Sequence, residues 1–413
     1  MHRTDVVVIG GGQAGLAMSR CLGDRAIAHV VLERGRIAES WRSHTWDSLR
    51  LLTPNWMARL PGWRYRGADP NGFMTREALI RYLDDYAASF RAPLEAGAAV
   101  RSVEFAHGRY RIATDRGTWE APVVVIATGH SAAPQVPMMA RGLSPRIHHV
   151  TPARYKRADD LPPGGVLVVG ASASGIQLAD EIHASGRPVT IAVGRHTRLP
   201  RRYRGQDIMW WLDRIGVLTE RADAVRDLDA ARRQPSLQLI GHPDGRALDL
   251  TTLQAAGVRI TGRAVDMCGT RVHFADDLMQ TVAESERRMT RVLARIDNVI
   301  ALHNLGADEV PPLPRIALAG TRTELDLAQE GISTVVWATG YRRGLPWLKV
   351  PVRDMTGEIR HRGGVTPAPG LYLLGWRFMR RRNSSFIDGV GRDARELADE
   401  IALRLHARRH MAA

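Results

Sequence analysis

Lysine is nearly absent from this 413-residue chain: only Lys156 and Lys349 occur, so arginine supplies 56 of the 58 basic side chains. Cysteine is equally scarce, and the two present, Cys21 and Cys268, exclude a disulfide framework and any cysteine-based zinc or iron–sulfur site. No segment offers the ~18 uninterrupted apolar residues that a membrane-spanning helix needs. The N-terminus runs from Met-His-Arg-Thr straight into a strand pattern without a signal-peptide layout. These absences predict an unexported, cytoplasmic protein that does not enter membranes. Three chemistry-bearing motifs are missing as well: a GxSxG elbow, a Walker A loop and an HExxH helix. His406 and His410 are helically spaced, but no third ligand accompanies them, and no metal is predicted.

What is there is a long, apolar, basic chain. Apolar residues make up 44%, which with this length predicts two domains with substantial cores. The formal charge of +15 fits either an arginine bias spread over a solvated surface or an anionic partner. The arginines lack aromatic interleaving and no nucleic-acid motif accompanies them, so no nucleic-acid partner is predicted.

Four Val/Ile-rich runs end in glycine: 5–10 (DVVVIG), 122–129 (PVVVIATG), 166–170 (VLVVG) and 334–340 (TVVWATG). Short runs without polar alternation are what strands buried on both faces of a parallel sheet look like. The predicted fold class is α/β, with two Rossmann-like, three-layer dinucleotide-binding domains, the second inserted in a discontinuous first. The polar, Pro-ended stretch 156–163 (KRADDLPP) and the Pro-rich 310–314 (VPPLP) are candidate crossings. They give a first domain of 1–157 plus 311–413 and an insert of 158–310. Within the insert, Leu278, Val282, Met289, Val292, Ile296 and Ile300 form the stripe of an amphipathic helix.

The first run opens into Gly10, Gly12 and Gly15 at GxGxxG spacing, with Gln13 and Ala14 in the turn. Gly10 permits the tight turn, Gly12 the approach of a pyrophosphate, and Gly15 close helix–strand packing. The next strand, 29–32, leads to Glu33 and Arg34, and an acid there accepts hydrogen bonds from a ribose diol while repelling a 2′-phosphate. That site is predicted to take FAD or NAD. The third run opens into Gly170, Ser172, Ser174 and Gly175, and its following strand ends in Arg195, with Arg198, Arg201, Arg202 and Arg204 beyond. Guanidinium groups at that strand end suit a 2′-phosphate, which favours NADPH. Two sites of opposite charge preference in one chain predict FAD in the outer domain and NADPH in the insert.

These motifs, together with Trp41-Arg42, 45–54 (TWDSLRLLTP) and the ATGY at 338–341, resemble flavin-containing monooxygenases and their bacterial relatives among the class B flavoprotein monooxygenases. The resemblance implies that Thr128, Gly129, Thr339 and Gly340 lie where the chain crosses between domains. It also implies that Trp41 and Arg42 lie beside the flavin, and that 370–375 (GLYLLG) is the last strand of the FAD domain. The helix opened by Asp388 would point its amides at the flavin pyrimidine edge. The implied activity is an NADPH-dependent FAD monooxygenase that forms a C4a-hydroperoxyflavin and oxygenates a small molecule at an amine nitrogen or sulfur. Its partners would be that substrate and O₂, in a monomer or homodimer.

The chain also departs from the family. Aligned on Tyr155, the fingerprint FxGxxxHxxx(Y/F) keeps only the tyrosine, with Pro145, Ile147 and Thr151 at the other positions. Leu52 stands where N- and S-oxygenating members carry an active-site Asn, leaving Asn55, three residues on, as the candidate beside Trp41 and Arg42. An NADPH-dependent flavin oxidoreductase passing electrons to a quinone or partner therefore remains the alternative. Trp41, Trp46, Trp56 and Trp63 are either pocket walls or plain packing. The cluster Arg377 and Arg380–382 faces an anionic substrate, a partner subunit or solvent.

Overall fold

The computed structural model describes residues 1–131, 133–309, 312–318 and 322–412. Its first sheet is parallel and five-stranded, in the order Leu371–Leu373, Val123–Ile126, Val6–Ile9, His29–Glu33, Leu94–Ala96. The central runs VVVI and VVVI are buried throughout, because helices cover one face and a second sheet the other. On the helical face, Gln13–Gly23 and Ile387–Ala412 pack side by side through Leu16, Val390, Ala394 and Leu397. On the opposite face, Val7, Ile9, Val124 and Leu373 meet a four-stranded sheet, His2–Arg3, Gly117–Ala121, Arg109–Thr114, Val100–Ala106, through Tyr110 and Ile112.

The second parallel sheet repeats the plan in the order His148–Val150, Ile332–Trp337, Gly165–Val169, Val189–Ala192, Arg259–Thr261. A three-stranded antiparallel sheet, Ala264–Cys268, Arg271–Phe274 and Glu324–Asp326, covers one face, and the helices Ala173–Ala184 and Leu250–Ala256 the other. The predicted amphipathic helix is Leu278–Leu302, and it buries Leu278, Val282, Met289, Leu293 and Ile296.

The strand pairings correct the domain boundaries. His148–Val150 and Ile332–Trp337 are members of the second sheet, so 157/158 and 310/311 fall inside the insert; Val310 and Pro311 lie outside the described residues. Just beyond the two ATG motifs, Ala133–Pro134 pairs with Tyr341–Arg342 in a short antiparallel ladder. The Thr339 hydroxyl donates to the Gln135 carbonyl across that pair. The polar stretch 156–163 instead forms an internal connection, turned by Ala158–Asp160, into Gly165–Val169. Pro and charge marked a loop correctly; they do not distinguish a loop within a domain from one between domains.

Candidate functional site

The two glycine turns have the same geometry. Gly10 has φ +113° and Gly170 φ +110°, and a Cβ on either would lie 2.7 Å from the Ala127 carbonyl oxygen or 2.4 Å from that of Ala338. Each turn is thus seated on the first residue of an ATG motif. A Cβ on Gly15 or Gly175 would come within 1.8 Å of the carbonyl oxygen of Gly10 or Gly170, which closes the helix onto the turn. Gly12, by contrast, faces open space.

The helices that follow start at Gln13 and Ala173 without a side-chain cap from Gly12 or Ser172, so their first amides are free to meet an anion. Gly129 and Gly340, both at positive φ, also border open space. Beneath the first turn the Thr128 hydroxyl is buried and has no hydrogen-bond partner among the described residues. Open space at Gly12, uncapped amides and an orphaned hydroxyl together fit a dinucleotide; Ser172 and Ser174 add hydroxyls at the second turn, where both are half-buried.

The two strand ends carry opposite charges. Glu33 is buried, and its carboxylate accepts the Gly11 amide at 2.7 Å and the Gly35 amide at 3.0 Å, so it also holds the glycine loop in shape. Arg34 beside it is exposed and reaches only His44, at 3.4 Å. Arg195 is exposed and makes no hydrogen bond or ion pair among the described residues. Its neighbours are committed elsewhere. Buried Arg198 pairs with Asp249 at 2.7 Å and Glu286 at 2.6 Å; Arg201 pairs with Asp207 and lies over Phe73; Arg204 pairs with Asp297. Arg202 is exposed and donates to the Gly205 carbonyl. Of this arginine run, Arg195 has the strand-end position with its guanidinium uncommitted.

Other candidates are placed as follows. Trp41 packs half-buried against the first core, and Arg42 is tethered to Asp84 and to the Ile37 carbonyl at 2.9 Å. Asn55 is buried and its amide donates to the Asp69 carbonyl at 2.9 Å, pinning the loop 69–72, while its Oδ1 has no partner. Asp388 opens the helix Ile387–Ala412, but its carboxylate is held by Arg59 and by Asn383 at 3.2 Å; what remains at this end is helix amide, not free acid. The four tryptophans divide between three cores, Trp41 and Trp63 in one, Trp46 in a second, Trp56 in a third, so they do not wall one pocket. The segment 45–54 runs along the inserted domain. Asp47 donates its amide to Lys156, Lys156 Nζ donates to the carbonyls of Ser43 and Thr45 at 2.8 and 2.7 Å, and Arg201 donates to Leu52 at 2.8 Å. Beside Asn55 lies an open cleft of about 490 Å³, lined by Trp56, Pro70, Asn71, Gln206, Trp210 and Asp213.

Sequence reasoning named Arg377 but missed the rest of the basic group at the C-terminal ends of Val123–Ile126 and Leu371–Leu373, where His130, Arg377 and Trp376 meet Arg343, His361 and Arg232. Burial, with Arg377 and Arg343 adding repulsion, pushes His130 down to about 4; burial with Arg232 and Arg343 does the same to His361. The residues come from five distant stretches, and the one signal in sequence was the arginine cluster at 377–382. Within it, Arg380, Arg381 and Arg382 are satisfied by Glu396, Asp393 and Glu220.

Two Rossmann-like domains, each with a glycine turn seated on an ATG carbonyl, define a flavoprotein of the two-dinucleotide-domain class. A family model described as pyridine nucleotide-disulphide oxidoreductase matches residues 7–215, half of the chain, and the protein belongs to that family. It is 30% identical over 403 residues to an uncharacterized CzcO-like oxidoreductase of Geobacillus kaustophilus, covering 97% of this chain and 99% of that one. It is 27% identical over 429 residues to the indole-3-pyruvate monooxygenase YUCCA4 of Oryza sativa, covering 97% and 88%. A solved flavin-containing monooxygenase from Stenotrophomonas maltophilia shares the fold with TM-score 0.68 at 20% identity, over 98% of this chain and 99% of that one. No helix among the described residues is long and apolar enough to cross a membrane.

Proposed function

We propose that the protein is an NADPH-dependent FAD monooxygenase acting on a small molecule, with FAD in the first domain and NADPH in the second. The observation that carries the reading is the paired geometry of the glycine turns combined with opposite strand ends: a buried carboxylate, Glu33, at one and a free guanidinium, Arg195, at the other. The similarity to the rice indole-3-pyruvate monooxygenase supports oxygenation. When bound, NADPH would supply a hydride donor and FAD the electron acceptor that gives the site its reactivity towards O₂.

The protein's own part is binding and positioning. Gly12 and the uncapped amides from Gln13 receive one pyrophosphate, with Ala14 and Gly15 closing the turn behind them; Ser172, Ser174 and the amides from Ala173 receive the other. Glu33 orients a ribose through whatever hydrogen-bonding capacity the Gly11 and Gly35 amides leave. The start of Ile387–Ala412 directs its positive dipole end into the first site, where negative charge on a flavin is stabilised. Trp41 and Arg42, held by the first core and Asp84, form one side of that site, and Asn55 fixes the loop that borders the 490 Å³ cleft.

Stopped-flow mixing of the NADPH-reduced holoenzyme with O₂ tests this reading. A transient distinct from both reduced and oxidised flavin is the expected result. Direct return to oxidised flavin would overturn it in favour of an electron-passing oxidoreductase. A thiol relay is not part of either reading, because Cys21 is buried within the first core, Cys268 is exposed on a strand of the second domain, and no CxxC pair exists.

A further inference from the structure

Arg377 leaves the strand Leu371–Leu373 and is largely withdrawn from solvent, yet it meets no carboxylate among the described residues. Its guanidinium donates to two neutral acceptors from the inserted domain, the Gln234 carbonyl at 3.3 Å and the Ser236 hydroxyl at 2.7 Å. Arg343 lies over the Trp376 ring at 4.5 Å and pairs with Glu358. Arg232 reaches the Phe378 carbonyl at 3.3 Å, and its carboxylate contact is Asp229, 3.8 Å away and 75% exposed. His361 meets the same Trp376 ring edge-on at 6.2 Å.

These groups sense one another. The Arg377 guanidinium is held below the ordinary arginine range by burial and then by Arg343; that of Arg232 is held below it by burial, with Asp229 and Glu358 opposing and Arg343 adding to the shift. Three guanidiniums thus share a neighbourhood with two carboxylates, Glu358 and the exposed Asp229, and the two histidines there are neutral. The Nε1 of Trp376, whose ring Arg343 and His361 meet, is buried and has no acceptor among the described residues, in a side chain only 1% exposed. A withdrawn cation without a counter-ion is unfavourable unless something negative completes it, and so is an unpaired buried donor.

We propose that Arg377, Arg343, Arg232 and the Trp376 indole form a receptor for the carboxylate of an acidic substrate. Guanidinium forks match a carboxylate in bidentate geometry, and an N–H donor beside them supplies a further bond. The position suits a substrate: Trp376 and His130 follow the C-terminal ends of neighbouring strands of the first sheet, and Gln234 and Ser236 bring the inserted domain against them. Cofactor phosphates have their own places, at the two glycine turns and at Arg195. The inference rests on the reading of the protein as a flavoprotein that oxidises small molecules.

The test is calorimetric titration of the FAD- and NADP⁺-loaded protein with acetate and phenylacetate, against acetamide and phenylacetamide as uncharged counterparts. The anions are expected to bind roughly tenfold or more tightly than the amides, and Arg377→Gln to remove that preference. Trp376→Phe, which deletes the orphan N–H and keeps the packing, is expected to weaken anion binding and leave the amides unmoved. If Arg377→Gln fails to fold, Arg232→Gln is read in its place. Equal affinity for anion and amide, no binding of either anion, or a preference that survives these variants would overturn the proposal. So would a fall in FAD content or a rise in KM for NADPH in Arg377→Gln, because either would assign the arginine to a cofactor phosphate. Binding is measured without turnover, so a protein that binds the anions but shows no oxygen-derived transient would retain this receptor and lose the monooxygenase reading.

Discussion

At the scale of single residues, the glycines of one motif are not equivalent. A methyl group at Gly15 would sit 1.8 Å from a backbone carbonyl, whereas at Gly12 it would meet nothing. Gly15→Ala must therefore displace helix from turn, and we expect it to yield little folded protein. Gly12→Ala should fold normally and lose flavin, since the space it fills is the space a pyrophosphate needs. Circular dichroism together with the flavin-to-protein absorbance ratio separates the two outcomes; a flavin-replete Gly12→Ala would contradict the assignment. Arg195 permits a similarly direct test. Its guanidinium has no internal role, so Arg195→Ala should leave stability unchanged and raise KM for NADPH by about tenfold to a hundredfold, the worth of one or two charge-assisted hydrogen bonds. KM for NADH should hardly move. An equal change for both nucleotides would remove the 2′-phosphate role.

At the scale of elements, buried Arg198 is a joint rather than a ligand. It ties Thr197–Arg198 to the cap of Leu250–Ala256 through Asp249, to Leu278–Leu302 through Glu286, and to the Pro314 carbonyl at 2.8 Å. Arg198→Met leaves two acids without their cation and should cost about 3–5 kcal/mol, read as a lower denaturation midpoint at constant m-value. Adding Asp249→Asn and Glu286→Gln should recover part of that loss. In the sequence Arg195 and Arg198 follow the same strand, and only the strand-end position sets Arg195 apart. What distinguishes them in the folded chain is the arrival of Asp249 and Glu286 from 51 and 88 residues away, and spacing carries no trace of that. Elements whose signal is local were legible: the glycine-ended buried strands, both turns, and the stripe of Leu278–Leu302. The antiparallel sheets over 100–121 and 264–326 were not, because their strands are half-exposed and their pairing is set by the faces they cover. The boundaries failed for the same reason: His148–Val150 is too short and polar to announce itself, and it joins the second sheet only by pairing with Ile332–Trp337.

At the scale of the whole molecule, the +15 charge resolves into three populations. Most arginines are surface or ion-paired, as Arg380, Arg381 and Arg382 are with acids of the last helix and the insert. One, Arg195, stands free at a strand end. A third group gathers where the two domains meet, and it leaves a mark on stability. His130 and His361 have their pKa pushed from 6.5 to about 4 by burial first and by Arg377, Arg343 and Arg232 second. The unfolded chain takes up each proton near 6.5, and the folded chain only near 4, so between those values the unfolded state binds more protons and gains as pH falls. The stability these neutral histidines contribute is complete above about pH 6.5 and lost progressively towards pH 4. At pH 5 the loss should be about 2 kcal/mol for each. Burial lowers His29, His44, His149 and His196 as well, and their contributions carry the same sign. Urea denaturation at pH 7 and pH 5 should therefore show a marked fall for the wild type. In His130→Asn, which cannot titrate, the fall should be smaller by that same amount of about 2 kcal/mol; an identical pH slope in the variant would show that the imidazole is not held neutral among those arginines.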